Sequence, residues 1–592
     1  MLSKTALTEK KIPTGVDDFY WLMTGDYLFC DKTLMIKELI DKGDVVTLIA
    51  RPRRWGKTLN MSMIRHFFEL STLEEPTKNL FENLAISTIE QGKYQQYQGQ
   101  YPVIFVSFKD VKESSFEEAM RKLKILIRIL YREHRYLLKS DNLEKDEKEL
   151  FSAYLEGKTG NIELEDSIRY LSELLHKNHN QRVYIIIDEY DTTLNSAYGK
   201  YLEKMTDFMR NLFSAALKGN KALEKGILTG ILRVSKDSML SGLNNLMTYT
   251  LLDEPYRNHF GFSEEEVDYL FKSKQCSLEM NEVRKWYNGY KAYDLIVYNP
   301  WSIMACLSNN SKIELYWTES ARNDLVKSTI IDSTANIKSK LEILMQGNTL
   351  STQINKYVTF DTLKDNETAL WSLLLFTGYL KAESSVFDAD TGTYKCVVSI
   401  PNREVFMLYK QFTLDWFITK LGGSEDKYTS FLDHLVQGNV DKFTENMMEY
   451  LLETASLFDV GNAKTGESFY HGFSLALIVS LREDYYIRSN KESGFGRYDI
   501  ILIPKNKNVQ QGIILEFKYT KAEEKMANLA KKALKQIDNN LYVTELKSYK
   551  NVKNVLKIGV VFSGKMAISA YETLDLKTGK NNGISVTHEL NR

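Results

Sequence analysis

At 592 residues the chain is too long for one ordinary core, and its length predicts about three or four domains. Its hydrophobic (43%) and charged (26%) fractions are those of a folded soluble protein; a net charge of −1 leaves no global field for nucleic acid or lipid, so such binding needs a local patch. Four dispersed cysteines (Cys30, Cys276, Cys306, Cys396) form no CxxC pair, and the eight histidines show no HExxH spacing, which excludes a disulfide framework and a zinc site and predicts a reducing compartment. The opening MLSKTALTEKKIPTG has no apolar core of a signal peptide, and "ALWSLLLFTGYL" is too short for the roughly 18 apolar residues of a membrane span, so a cytoplasmic protein without membrane contact is expected. With only 8 prolines, no low-complexity tract and no repeat, long disordered linkers are not expected.

"DVVTLIA" (44–50) is a β-rich apolar run that leads directly into "RPRRWGKT" (51–58). The run resembles the phosphate loop G-x-x-x-x-G-K-[ST], with Gly56, Lys57 and Thr58 in place and Arg51 where the first glycine belongs. The tripeptide G-K-[ST] alone turns up by chance in roughly a third of chains this long, so context decides. After the loop, Leu59, Met63, Phe67 and Leu70 fall on one helical face. Strand, loop and helix in this order aim helix N-terminal amides and dipole at an anion.

"YPVIFVSF" (101–108), a long helical stretch, "RVYIIIDEYD" (182–191) and "KGILTGIL" (225–232) follow. Strands alternating with helices predict an α/β domain with a largely parallel sheet. In such a sheet the strand's C-terminal end faces the ligand crevice, which puts Asp188 in position to hold Mg²⁺ and Glu189 to polarise the attacking water. The alternative for "DE" alone is a strand running into an acidic turn. Thr229, near the end of its strand, can sense a γ-phosphate or be an ordinary strand-end threonine. Arg233 can act as an arginine finger or form a surface ion pair. Arg53 and Arg54 can pair with phosphate or be solvated.

Together "RPRRWGKT", "YIIIDEYD", "ILTGILRVSKDSMLSGLNN" and the upstream "IPTGVDDF…YLFCDKT" resemble the AAA-ATPase-like family common in bacteria. The resemblance makes Arg51 a family trait, in a loop of the form R-P-R-R-[FW]-G-K-[ST]. It implies nucleotide contacts from Arg53, Arg54, Trp55, Gly56, Lys57, Thr58, Leu59, Asp188 and Thr229, and a strand inserted between the lysine loop and the acidic strand, a place "YPVIFVSF" can fill. Arg51 puts a side chain where the loop backbone normally comes closest to the phosphates. Asp31 and Lys32 match the family's DKT segment without a chemical role of their own.

The middle of the chain reads as mainly helical. Ser263 and Glu266 form a capping-box pattern. Trp286, Tyr287, Tyr290, Tyr293 and Trp301 lie among Arg284, Lys285 and Lys291; such a mixture is either a stacking platform for single-stranded nucleic acid or a packed subdomain, and packing is the expectation. In the family this stretch is the helical lid. "TALWSLLLFTGYLKAESSVFDADTGTYKCVVSIPNREV" (368–405) runs helix, strand, Asp/Gly turn, strand, an order that resembles a winged helix.

From about 450 the pattern changes to "GESFYHGFSLALIVSL", "YYIRSNKESGFGRYDIILIP" and "GIILEFKY". Residues i and i+2 share a strand face, so Glu516 and Lys518 are neighbours; with Asp499 on an adjacent strand, two carboxylates and an ammonium converge. Hard divalent cations take such oxygens, and phosphodiester hydrolysis is chemistry they promote. A surface ion pair is the plainer reading of E-x-K. "FYHGFSLALI", "ESGFGRYDIIL", "GIILEFKY" and "ALKQIDNNLY" resemble a PD-(D/E)XK nuclease-like domain. By that resemblance Asp499, Glu516 and Lys518 are the catalytic set, Asp499 and Glu516 with the metal; Gln536 and Tyr542 match the following helix. Glu467, or in its place Glu492, is the extra upstream acid, and His471 is a minor candidate.

The expected architecture is therefore α/β: a P-loop NTPase domain (1–260), a helical lid-like subdomain (261–345), a helical, winged-helix-like region (346–450) and a nuclease-like domain (451–592). The expected activity is ATP binding and hydrolysis, with Thr58 and Asp188 on Mg²⁺, controlling Mg²⁺- or Mn²⁺-dependent cleavage of nucleic acid, DNA in particular. Homo-oligomers and a role in defence against foreign DNA fit this pairing. The alternative is an ATPase switch or scaffold whose nuclease fold only binds nucleic acid or protein.

Overall fold

The structure, a computed structural model, describes residues 10–70, 77–232, 240, 243–317, 324–331, 333, 335–345, 347–357, 366–421, 425–454, 474, 477–489, 492–493, 496–497, 499–520, 522–539, 542–564 and 566–587. It divides into two compact units, Met1–Thr329 with Ser351–Val405, and Ile330–Leu350 with Phe406–Arg592.

The first unit opens with α1 (Phe19–Thr24), capped by the Asp18 carboxylate on Trp21 N–H, and α2 (Leu34–Asp41). β1 (Val46–Ala50) is buried along its whole length and leads through the loop 51–56 into α3 (Lys57–Phe68). Met61, Met63, Ile64, Phe67 and Phe68 of α3 are buried. β2 (Val103–Ser107) follows, then α4 (Phe116–Glu133), which the Ser115 hydroxyl caps and which buries Ala119, Met120, Leu123, Ile127, Leu130 and Tyr131 at helical spacing. Next come α5 (Lys145–Glu156), α6 (Asn161–His179), β3 (Val183–Asp188), α7 (Thr192–Ala197), α8 (Leu202–Leu217), β4 (Leu223–Gly230) and β5 (Leu246–Tyr249). The five strands form one sheet in the order β2-β3-β4-β1-β5, with every neighbouring pair parallel.

This order corrects one expectation. "YPVIFVSF" is β2, which precedes the acidic strand in the chain but lies at the sheet edge; the strand between β1 and β3 in space is β4. Crossover helices free sheet order from chain order.

The rest of the unit holds α9 (Glu264–Ser273), with the Ser263/Glu266 capping box formed, α10 (Met280–Tyr287), a hairpin of β6 (Tyr290–Ala292) and β7 (Leu295–Val297), and α11 (Pro300–Ser308). The aromatic cluster is mostly packing: Tyr287 and Tyr290 are buried, Trp286 and Trp301 half-buried, and Tyr293 exposed. β8 (Leu350–Ile354), α12 (Glu367–Thr377), β9 (Lys381–Asp388) and β10 (Thr393–Ser399) complete it; β9 and β10 pair antiparallel in a three-stranded sheet of order β8-β10-β9.

In the second unit α13 (Glu425–Gln437) and α14 (Val440–Thr454) precede β11 (Tyr485–Ser489), β12 (Ile500–Pro504), β13 (Gln511–Tyr519), α15 (Met526–Asn539), β14 (Asn554–Ser563), β15 (Met566–Asp575) and β16 (Ser585–Val586). The six strands form a mixed sheet in chain order, in which only β13 and β14 are parallel. Phe431, Leu435, Phe443 and Met447 of the two leading helices pack on Ile500, Leu502, Ile513 and Leu515 of one face, whereas Ala530, Leu534 and Ile537 of α15 pack on Ile501, Ile514 and Val561 of the other. The expected boundary near 450 therefore falls inside a packed layer. Residues 406–450 belong with the C-terminal sheet, because the apolar faces of α13 and α14 have that sheet as their core. Likewise 351–405 belongs with the first unit.

Among the described residues all four cysteines are free, and no helix is long and apolar enough to cross a membrane.

Candidate active sites

Arg51 follows β1 and is fully buried. Its side chain does not occupy the phosphate cradle. Nη1 donates to the carbonyls of Ala50 (2.9 Å) and Tyr249 (3.2 Å), Nη2 donates to Pro255 (3.3 Å), and the guanidinium lies 5.3 Å from the Phe260 ring centre. Burial lowers its pKa to about 10, opposed by the charges of Asp253 and Glu38. The arginine thus ties the start of the loop to the end of β5 and the turn beyond it.

Gly56 adopts φ 77°, the left-handed region, as the residue before the first turn of α3, and a β-carbon there would meet nothing within 4 Å. The space beside Gly56 is thus free of other protein atoms, which is compatible with an anion cradle. Lys57 is buried and donates from Nζ to the Pro52 carbonyl at 2.9 Å. Burial lowers its pKa, and Glu189, Asp191 and Asp188 counter the shift electrostatically. Thr58 Oγ1 donates to Asp188 Oδ2 at 3.0 Å, and Ser107 Oγ donates to the same oxygen at 3.2 Å. Asp188 is fully buried, and burial followed by the neighbouring Glu189 raises its pKa to about 6. Its Oδ1 is buried with no hydrogen-bond partner, and so is Thr229 Oγ1 on β4. A buried oxygen without a donor is costly, and a cation or a phosphate-bound water network fits that deficit.

Glu189 sits at φ 50° and accepts from Thr192 Oγ1 at 3.0 Å. Trp55 is buried with its ring edge-to-face on Tyr290 (5.7 Å), so any nucleotide contact at that residue is made by the backbone. Arg54 is exposed and its guanidinium lies 4.3 Å from the Trp301 ring centre; Arg53 and Leu59 are half-buried. Arg233 lies outside the described residues.

Sequence reasoning missed several supports. Ser107 stands in register beside Asp188, and a hydroxyl at the C-terminal end of the adjoining strand was its signal. Asp191 Oδ2 accepts from Ile231 N–H (2.9 Å) and Leu232 N–H (3.2 Å), and Tyr190 donates its hydroxyl to the Leu232 carbonyl. The second half of "DEYD" therefore fastens the exit of β4. Burial raises the Asp191 pKa. In the DKT segment, Asp31 accepts from Thr33 N–H and Ala85 N–H, and Lys32 donates to Glu266 at 2.6 Å. These roles are structural.

In the second unit, Ile500 on β12 pairs with Leu515 on β13, which brings Asp499, just before β12, beside Glu516 within β13. Asp499 Oδ2 accepts from Phe517 N–H at 2.7 Å, and Lys518 Nζ donates to Glu516 Oε1 at 3.0 Å. Glu516 is buried, and burial followed by the Asp499 charge raises its pKa to about 7, with Lys518 acting against the shift. Its Oε2 is buried without a hydrogen-bond partner. The expected convergence of two carboxylates and an ammonium is present, and the orphaned oxygen fits a divalent cation. Among the described residues no group of three His, Cys, Asp or Glu side chains comes together. Glu467 and His471 lie outside the described residues, and nothing is described of the Glu492 side chain. Gln536 is half-buried on α15. Tyr542 is fully buried in the core under the sheet, which makes it a packing residue. Gly559, in register with Glu516, is where a β-carbon would stand 2.6 Å from Ala530 O and 2.7 Å from Leu534 N, so only glycine lets α15 lie this close.

Residues 13–240 match the family described as "Predicted AAA-ATPase", and residues 465–572 match the PD-(D/E)XK nuclease superfamily. The chain carries an AAA-ATPase-like domain and a PD-(D/E)XK nuclease-like domain. It is 28% identical over 319 residues to an uncharacterized protein in the vnfD 5' region of Azotobacter chroococcum mcd 1, a match covering 53% of this chain and 54% of that protein. The chain thus spans about half the length of the curated relative it matches. A Walker-type ATPase of Pyrococcus abyssi is 14% identical with a TM-score of 0.30, over 64% of this chain and 94% of that one, a likeness too loose to bear on fold or activity.

Proposed function

We propose that the protein binds and hydrolyses ATP at the β1–α3 loop, and that its nucleotide state controls metal-dependent phosphodiester hydrolysis of nucleic acid, DNA in particular, at Asp499, Glu516 and Lys518. The observation that carries this reading is a matched pair of buried carboxylates, Asp188 and Glu516, each with one oxygen that no protein group satisfies. Asp188 ends β3 near Lys57, and Glu516 lies within β13 bonded to Lys518.

At the first site the open N-terminus of α3 receives phosphates, Lys57 turns from the Pro52 carbonyl to the β- and γ-phosphates, and Thr58 with Asp188 holds Mg²⁺. Glu189 orients the water, Thr229 reads the γ-phosphate, and Arg233 supplies positive charge to the transferring group. At the second site Asp499 and Glu516 hold Mg²⁺ or Mn²⁺, which when bound supplies Lewis acidity and charge stabilisation. Lys518 stabilises the developing negative charge and orients the nucleophile, with Gln536 and Glu467 completing the substrate side. The same reading makes the protein a cytoplasmic homo-oligomer acting against foreign DNA, and sizing it with and without ATP addresses the assembly.

The deciding experiment follows cleavage of plasmid, single-stranded DNA and RNA by wild type, Lys57→Ala and Glu516→Ala, with Mg²⁺ or Mn²⁺ and with ATP, ADP or a non-hydrolysable analogue. Cleavage that needs Glu516 and changes with nucleotide in wild type but not in Lys57→Ala is the expected result. Absence of cleavage by wild type under every condition would sink the nuclease reading and leave a nucleic-acid- or protein-binding module.

A further inference from the structure

The loop that faces the phosphates is held from outside by the subdomain that follows the ATPase sheet. Arg54 has φ 65°, a left-handed conformation that is uncommon for a side-chain-bearing residue. Three residues between 299 and 317 supply the constraint. Asn299 Nδ2 and Trp317 Nε1 both donate to the Arg53 carbonyl, each at a long 3.4 Å, and the Trp301 indole carries the Arg54 guanidinium on its face at 4.3 Å.

These residues are themselves fixed. Asn299 is fully buried and caps α11, its Oδ1 accepting from Trp301 N–H at 2.9 Å and Ser302 N–H at 3.4 Å. The buried Glu404 carboxylate accepts from Trp317 N–H at 2.6 Å and from Ser302 Oγ at 2.8 Å. The clamp is thus anchored at both ends.

A trans peptide has its C=O and N–H on opposite sides. The described residues include no cis peptide bond, so drawing the Arg53 carbonyl toward Asn299 and Trp317 turns the Arg54 N–H away from them. The preceding carbonyl, of Pro52, is instead taken by Lys57. The two successive peptides are therefore set by different partners, one by the lysine and one by the subdomain. Phosphate loops work through such N–H orientations.

We infer that Asn299 and Trp317 are positioning residues that fix the 53–54 peptide in its phosphate-binding orientation, so that the nucleotide cradle is complete only with this subdomain docked on it. The inference rests on the nucleotide reading of the β1–α3 loop.

The test uses the full chain and compares ATP, inorganic tripolyphosphate and adenosine as probes. Asn299→Asp keeps an oxygen to cap α11 but puts a carboxylate against the Arg53 carbonyl, and Trp317→Phe keeps the ring while removing the N–H donor. Binding of ATP and tripolyphosphate is expected to weaken about tenfold in Asn299→Asp and about threefold in Trp317→Phe. Adenosine binding is expected to stay at the wild-type value in both variants, while the carboxylate buried in Asn299→Asp lowers the nucleotide-free Tm and Trp317→Phe leaves it nearly unchanged. Wild-type tripolyphosphate affinity in both variants overturns the inference, as does an equal loss for adenosine, which would mark general damage. If wild type and Lys57→Ala bind ATP alike, the nucleotide reading itself falls, and the clamp with it.

Discussion

At the end of β3, Asp188 is buried, takes two hydroxyl hydrogen bonds on one oxygen and has none on the other; its cation, Lys57, is bonded to a backbone carbonyl and, among the described residues, forms no ion pair. On β13, Glu516 is equally buried and has one orphaned oxygen, but its other oxygen is bonded directly to Lys518, a side chain about a quarter exposed. The difference lies in what each lysine is held ready for. On the proposed function, Lys57 gives up only a backbone carbonyl to take a phosphate, whereas Lys518 is paired with the acid proposed to hold the metal ion. The proposed loading of the second site would therefore compete with an internal ion pair, which the proposed first site does not require.

The sharpest way to break that contrast is at Glu516. Its change to Ala is expected to reduce cleavage at least about 10³-fold and to remove the Mn²⁺ binding of the second site, measured by calorimetry on the Lys57→Ala background without nucleotide, since it removes a proposed metal ligand. Lys518→Ala is expected to lose cleavage similarly while Mn²⁺ binds as well as, or several-fold better than, in wild type. Weaker Mn²⁺ binding in Lys518→Ala would mean that the lysine does not compete. At the first site Lys57→Ala is expected to weaken ATP about 100-fold, read by equilibrium binding, because no competing carboxylate contact is released in exchange.

A smaller effect separates the two units by pH. Burial raises the Glu404 pKa from 4.5 to about 7, with the bonds from Trp317 and Ser302 acting against it. Between those values the unfolded chain has released a proton that the folded chain still holds, so this group's contribution to stability falls as pH rises through the window and levels off above about 7. Glu404→Gln, which cannot ionise, is expected to gain on wild type by on the order of 2 kcal/mol between pH 5 and 8. Only the thermal transition of the first unit is expected to move; an identical pH slope in both proteins would contradict the assignment. The least effect is expected for Arg51→Lys, which keeps the charge but cannot span three carbonyls, at roughly 1–2 kcal/mol of stability by thermal melting with nucleotide binding weakened several-fold.

The sequence carried the first site well because its parts are local. Strand, loop and helix are contiguous, and "YIIIDE" announces a buried strand ending in acids. The same holds for Glu516 and Lys518, two residues apart on one strand, with Asp499 a hairpin away. What escaped depends on contacts between distant segments. Nothing local tells that Arg51 turns its guanidinium to carbonyls some 200 residues on, that Asp191 serves the exit of β4, or that β4 intervenes between β1 and β3. The domain boundary near 450 failed for a related reason. An amphipathic helix pair advertises an apolar face but not which sheet receives it, and α13 and α14 belong to the sheet that comes after them.

Gly559 makes the C-terminal domain sensitive to a single carbon. With backbone atoms of α15 already at contact distance, an alanine there has no side chain to push aside and must lift the helix itself. Because Gln536 rides on that helix and Glu516 lies on the neighbouring strand, the interval between them is gauged by the absence of a methyl group, and widening it offers a way to detune the acidic centre without altering any residue that touches a ligand.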